Sequence, residues 1–288
     1  MDQHTSGELK SSTAGSALRS ESPVKGKNKD ASKGTSHASG QTMVLTISNP
    51  TLRNALSPTM YAAGVEALNF ADSSDEIRSV VITGEGSIFC AGGNLQRLLG
   101  NRSHAPQVQA QSIDGLHSWI EAIRSCRKPV IAAVEGPAAG AGFSLCLACD
   151  LIVAARDAVF VMAYSSVGLS PDGGATWHLS HMLPRQLASE LLLCGERIRA
   201  ERLHTLGVVN RVVDTGNALS EALLMADKLN ARAPNALAST KELLNDAPQR
   251  SLSEHLNAER DAFVANLHHA NGGEGISAFL GKRPAIYR

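Results

Sequence analysis

The sequence predicts an α/β fold in which strands alternate with helices, followed by a mainly helical C-terminal part. Three observations predict it. Short apolar runs closed by turn residues recur along the chain, and Val130 to Val134, ended by Gly136 and Pro137, has the form of a fully buried strand. Ile113, Leu116, Ile120 and Ile123 repeat at the spacing of one helix face. After Pro184 the pattern is helical to the end, with Leu187, Leu191, Leu223, Leu229, Leu243, Leu244 and Phe263 among its apolar positions.

Taken in order, residues 1–40 are rich in Ser, Thr, Gly and Lys, and Leu9, Leu18 and Val24 are their only branched aliphatics. Such a segment cannot bury enough surface to fold, so a disordered tail is expected. It has no apolar core of a secretory signal, and Asp2, Glu8, Glu21 and Asp30 argue against an organelle transit peptide, which leaves a cytoplasmic location as the default. The expected strands are Met43 to Ser48, Ser79 to Thr83, Val130 to Val134, Leu151 to Ala155, Val159 to Met162 and Val208 to Val213. Ser57 and Pro58 open a helix as cap and first residue. No apolar run is long enough to span a bilayer, so a soluble protein with no membrane partner is expected. These readings divide the chain into a tail (1–40), a core holding the chemistry (41–198) and a helical region (199–288).

Composition removes some functions. Lys+Arg and Asp+Glu both total 27, a formal net charge of +0, which leaves no case for general nucleic-acid binding. The five cysteines are expected to be reduced thiols. Cys146 and Cys149 form a CxxC inside an apolar stretch without a second pair, which reads as packing. His178 with His181, and His268 with His269, lack carboxylate or cysteine partners at ligand spacing, so no metal site is expected.

The most informative stretch runs from Val134 to Asp172. Behind the buried strand, Ala138 to Gly142 carry no side chain larger than a methyl, so a ligand can come close to the backbone. Phe143 to Cys149 is apolar apart from Ser144 and suits a buried helix whose first turn includes Ala141 and Gly142. Unpaired N–H groups of that turn would stabilise an oxygen gaining negative charge, and losing one such donor typically costs about 3 to 4 kcal/mol in the transition state. Close packing of helix on sheet is the competing explanation for the small residues. A second piece of this kind follows the strand RSVVIT (Arg78 to Thr83), where Ala91, Gly92 and Gly93 again bare the backbone before Asn94 and Leu95. Two such turns can supply two donors to one oxygen.

FCAGGNL followed by GPAAGAGFSLCLACDLIVAA resembles the crotonase superfamily, the enoyl-CoA hydratase and isomerase family. NPTLRNALS (Asn49 to Ser57), ERLHTLGVVNRVV (Glu201 to Val213) and EGISAFLGKRPAIY (Glu274 to Tyr287) add to the likeness, which covers about residues 43–288. It implies a ββα spiral fold whose C-terminal helices assemble a homo-oligomer, a trimer or a hexamer. It also implies that Gly93 and Ala141 N–H form an oxyanion hole for an acyl-CoA carbonyl, with no cofactor and no metal, since coenzyme A is part of the substrate. Both donors are main-chain groups, and an enolate puts its new charge on the oxygen they hold.

What differs within such a family is the group that handles the proton. The two glutamates with which its hydratases hold water fall here on Ser144 and Tyr164, so that route to water addition lacks its carboxylates. The remaining carboxylate is Asp172, whose place resembles the catalytic aspartate of the family's isomerases, in particular its phenylacetate-pathway and oxepin-CoA-type members. One carboxylate suffices to remove a proton beside a thioester and return it further along the chain. Asp172, followed by Gly-Gly and ATWHLSHML, also reads as a helix N-cap.

Tyr164, Phe143 and Trp177, with Ser144, are expected around the acyl pocket, although core packing explains the aromatics equally well. In a chain with only 4% aromatic residues, their clustering favours an aryl or cyclic acyl group. The resemblance puts coenzyme A near Arg53, Ala55, Leu56, Ala91, Gly92 and Leu95. Phe279 and Lys282 match positions that help close that site, often from a neighbouring subunit. The expected function is therefore isomerisation of an acyl-CoA thioester through an enolate, with Asp172 moving the proton. The alternatives are a hydratase or oxepin-CoA-type hydrolase with another way of holding water, or a CoA-binding module without catalysis.

Overall fold

Parallel strands buried on both faces need helices on both sides, and this chain supplies them. The computed structural model describes residues 8–12 and 34–288. The main sheet has the order β1-β2-β3-β4-β5-β7-β10, formed by Glu8–Ser12, Gly34–Ser39, Thr42–Ser48, Ser79–Gly84, Val130–Val134, Leu151–Ala155 and Arg211–Val213. From β3 to β10 every neighbour is parallel, while β2 runs antiparallel to β3. A small second sheet, β6-β8-β9 (Pro137–Ala139, Val159–Val161, Ile198–Arg199), stands beside the turn after β5.

Side chains of the main sheet alternate between two cores. Met43, Leu45, Val80, Ile82, Val130, Ala132 and Val134 face a large core shared with α1 (Pro58–Ser73), α3 (Pro106–Ser125) and α4 (Ala141–Ala148). Val44, Val81, Ile131, Ala133 and Val153 face the other way and are covered by Ala218, Ala222, Met225 and Ala226 of α8 (Ala218–Asn230). The apolar runs read as strands are continuous because both faces are covered. Ser57 caps α1, its side chain accepting from Met60 N–H, with Pro58 at the first helical position. The remaining helices are α2 (Leu95–Asn101), α5 (Ala175–Met182), α6 (Arg185–Ser189), α7 (Ala200–Thr205), α9 (Pro234–Asp246), α10 (Leu252–His268) and α11 (Ala270–Leu280). Among the described residues no helix is long and apolar enough to cross a membrane.

Three expectations need correction. The disordered tail does not extend through Gly34–Ser39, which forms a hairpin with β3, and Glu8–Ser12 pairs with both β2 and β3. Main-chain ladder bonds hold strands that have few apolar side chains, so composition hid them. The other tail positions, 1–7 and 13–33, lie outside the described residues. The break expected at residue 199 also fails, because β10 completes the main sheet beside β7 and α8 covers it. Finally, the last strand is only Arg211–Val213, as Val208 and Val209 are buried ahead of it.

Candidate active site

The site is built where the turn after β4 meets the turn after β5. Cys90 N–H donates to Pro137 O (3.1 Å) and Ala139 N–H to Cys90 O (2.9 Å), so the two turns are laced together through their main chains. Gly92 lies so close to the second turn that a β-carbon there would sit 2.6 Å from Ala139 O and 3.4 Å from Ala141 N. Its φ of +86° is a second reason that only glycine suits this position.

Tracing the donors shows which amides are left for a ligand. In the first turn Ala91 N–H donates to Arg53 O (3.1 Å) and Gly92 N–H to Cys90 Sγ (3.3 Å). Burial pushes the Cys90 thiol up to about 12, so it stays protonated and serves as a neutral acceptor. In the second turn Gly140 N–H donates to Val161 O (2.9 Å), which orients the start of α4. Among the described residues, the Gly93 and Ala141 N–H groups have no acceptor. The Ala141 amide is the first of α4, where the helix dipole adds positive potential. Unpaired amides on touching strips of backbone are the kind of donors that can hold one oxygen carrying negative charge.

The early loop fixes this arrangement. Leu56 N–H donates to Gly92 O (2.8 Å), and the Leu56 side chain is fully buried, as is nearly all of Ala55. Asn54, in the left-handed region at φ +56°, accepts from Asn49 N–H (2.9 Å) and donates to Glu85 O (2.9 Å) and Ile88 O (2.7 Å). Arg53, Ala55 and Leu56 are thus brought against Ala91 and Gly92. Of these, Arg53 is exposed, and Leu95 is exposed on α2. Phe279 and Lys282 stand exposed at the end of α11, which packs on α10 within this chain.

Asp172 is tied to the same place. Its Oδ1 accepts from the Tyr164 hydroxyl at 2.5 Å, and its carbonyl accepts from Ser144 Oγ at 3.0 Å. Burial, reinforced by the adjoining Asp172 carboxylate, raises the Tyr164 phenol well above its ordinary value, so it remains a donor. The Tyr164 ring also lies 3.4 Å from where a β-carbon on Gly140 would stand, which places it against the oxyanion turn. Ser144 is fully buried and bonded to main-chain oxygens, including Gly140 O at 3.4 Å, so it positions the Asp172 backbone. The N-cap reading of Asp172 is overturned, since Gly174 precedes α5 and no side chain caps it. This frees the carboxylate for Tyr164 and for a ligand.

Of the aromatic residues expected around the acyl pocket, Phe143 sits in the core, while Trp177 is half-buried on α5. Phe143 is fully buried and packs on Phe160 with ring centroids 4.9 Å apart, so it exposes no surface to a ligand. Trp177 stacks on His181 (4.2 Å) and lies under the Arg124 guanidinium (4.4 Å), a position set by the i,i+4 spacing on α5. With Phe143 in the core, the clustering that favoured an aryl or cyclic acyl group is reduced to Tyr164 and Trp177. Near Asp172 also lie Tyr61 of α1 and Arg97 of α2, which the sequence did not single out. Burial raises the Tyr61 phenol; the adjacent Arg97 lowers it and the Asp172 charge raises it, so the three groups share one neighbourhood. Arg97 lies four places after Gly93, and a lone cation in LQRLLGN was the only available signal. A cavity of about 520 Å³ between α1 and α3 touches this neighbourhood only through Tyr61 and Ser112, and neither Asp172 nor the two free amides lines it.

Main-chain amides without a protein acceptor, with one carboxylate near their turn, are groups that can hold an oxygen anion and take up a proton. The chain belongs to the enoyl-CoA hydratase/isomerase family, whose sequence pattern matches residues 37–288. It is an enzyme of that family. Among its relatives, the 1,2-epoxyphenylacetyl-CoA isomerase of Escherichia coli K12 is 36% identical over 250 residues, covering 86% of this chain and 95% of the relative. The 2,3-dehydroadipyl-CoA hydratase of the same organism is 33% identical over 247 residues, covering 85% and 94%. Among solved structures, an enoyl-CoA hydratase from Polaromonas sp. JS666 superposes with a TM-score of 0.87 at 69% identity, covering 88% of this chain and 98% of that one.

Proposed function

We propose that the enzyme isomerises an acyl-CoA thioester by carrying a proton from one carbon to another on Asp172. The Asp172 carboxylate takes the proton at C2, and the C–H electron pair moves into the carbonyl, giving an enolate whose oxygen is held by Gly93 and Ala141 N–H. With an alkene at C3–C4 the negative charge spreads to C4. Protonated Asp172 returns its proton there, the double bond moves to C2–C3, and no atom is gained or lost.

The observation that carries this reading is the Tyr164–Asp172 hydrogen bond at 2.5 Å against the oxyanion turn. The positions where a hydratase would carry its glutamates hold two hydroxyls instead, and both are bonded to Asp172. Arg53, Ala91, Gly92 and Leu95 would border coenzyme A. Phe279 and Lys282 would reach it from a neighbouring subunit of a trimer or a pair of trimers, because they are exposed on their own chain.

The test is incubation in deuterated water with a panel of unsaturated, epoxidised and oxepin acyl-CoA thioesters, with products read by mass. Deuterium at C2 or C4 without added oxygen is the expected result, and Asp172→Asn should slow its incorporation by about 10²- to 10⁴-fold. A product heavier by one water, or an Asp172→Asn variant as fast as the parent, would overturn the isomerase.

A further inference from the structure

Arg97 carries a charge that the reaction described above does not use. It stands one turn into α2, its N–H donating to the Asn94 cap (3.1 Å), only four residues from the oxyanion donor Gly93. One guanidinium nitrogen donates to Ser112 Oγ (3.3 Å), and the group lies beside the Tyr61 phenol. Its Nε is buried without an acceptor. No acid occurs in α2, and among the described residues Arg97 makes no ion pair.

Such an arrangement is unfavourable by itself. A guanidinium drawn partly out of water, with a donor left over and no counter-charge, destabilises the folded state unless something completes it. Asp172 does not, since its carboxylate is engaged by Tyr164 and forms no ion pair with Arg97. Arg97, Asn94 and Asp172 are each partly exposed, so they border space that a ligand can enter. The missing partner is an oxygen anion, and a carboxylate matches the planar fork with two parallel bonds while cancelling the charge.

We propose that Arg97 binds a carboxylate at the far end of the acyl chain, so that the preferred substrates are CoA thioesters of dicarboxylic acids. The proposal rests on the acyl-CoA reading above and adds the acyl class to it. In this arrangement the thioester oxygen sits on Gly93 and Ala141, the reacting carbons lie against Asp172, and the distal carboxylate ends on Arg97 and Ser112. Arg97 is then a specificity-determining residue. It fixes the register of the chain against Asp172 and takes no part in the proton transfer.

Binding of saturated thioesters separates this claim from the chemistry, because these compounds cannot isomerise. Succinyl-, glutaryl- and adipyl-CoA are compared with butyryl-, pentanoyl- and hexanoyl-CoA by calorimetry on the full-length protein. At least one dicarboxylic member should bind roughly tenfold or more tightly than its monocarboxylic match, the scale of a charge-assisted bidentate contact. Arg97→Gln should reduce that ratio to about one, and Arg97→Lys, which keeps the charge and loses the fork, should restore part of it. A melting temperature for each variant confirms that the fold is intact. Equal binding of the two series by the parent protein, or a preference that survives in Arg97→Gln, would overturn the proposal. Failure of every thioester to bind would instead sink the acyl-CoA reading, and this one with it.

Discussion

At the scale of single residues, the site depends on which groups already have partners. Tyr164 is a permanent donor because its phenol is raised by burial and by the carboxylate it faces, so the contact to Asp172 persists over the whole working pH range. Tyr164→Phe keeps the ring against Gly140 and removes that bond. We expect kcat to fall by about ten- to a hundredfold, the equivalent of one hydrogen bond to a charged group, while KM changes little, checked by steady-state kinetics on the best thioester of the panel. An equal loss in KM and none in kcat would assign Tyr164 to substrate binding instead. The legibility of these residues follows the same logic. The two bare turns at Gly93 and Ala141 and the acid at Asp172 were readable as local features of the sequence, while their expected roles came from the resemblance. Tyr61 and Arg97 were not, since they come from different helices and meet only in the folded chain. Phe143 misled because an aromatic near a functional turn has the same sequence appearance whether it faces a ligand or the core.

At the scale of elements, small residues in the turns serve contact between backbones more than flexibility. Gly92→Ala would place a methyl 2.6 Å from Ala139 O, at a φ of +86° that an L-residue resists, so the two turns must move apart. We expect a loss of about 1 to 3 kcal/mol in stability by chemical denaturation and about a hundredfold in kcat, because the two amides no longer converge. Gly100→Ala in α2 is the matched control. No atom lies within 4 Å of its added methyl, and alanine should stabilise the helix by about 0.5 to 1 kcal/mol. If both variants behaved alike, the packing account of Gly92 would fail. The same physics decides which elements were legible. Val130–Val134 and Leu151–Ala155 were read to the residue because strands covered on both faces are unbroken apolar runs. Gly34–Ser39 was invisible because GTSHAS, with Ala38 its only apolar side chain, is held by main-chain pairing to its neighbours.

At the scale of the whole molecule, the C-terminal helices leave an apolar surface that the single chain does not cover. Leu252, Leu256, Phe263 and Val264 on α10, and Phe279 and Leu280 on α11, are between 48% and 83% exposed. Scattered apolar residues are ordinary on a surface, but six on two adjoining helices are a concentration that a partner subunit would bury. The face also includes Phe279, next in space to the end of α11 where Lys282 stands, so assembly and closure of the CoA strip are expected to be linked. Sedimentation at micromolar concentration should therefore return a trimer or a pair of trimers. Phe263→Glu, which sets a charge into that face, should shift the distribution toward monomer and weaken CoA binding together with it. A parent protein that sediments as a monomer would remove the oligomer and, with it, the second subunit's share in the site. A Phe263→Glu monomer that still binds coenzyme A with the parent's affinity would keep the oligomer but make each subunit self-sufficient.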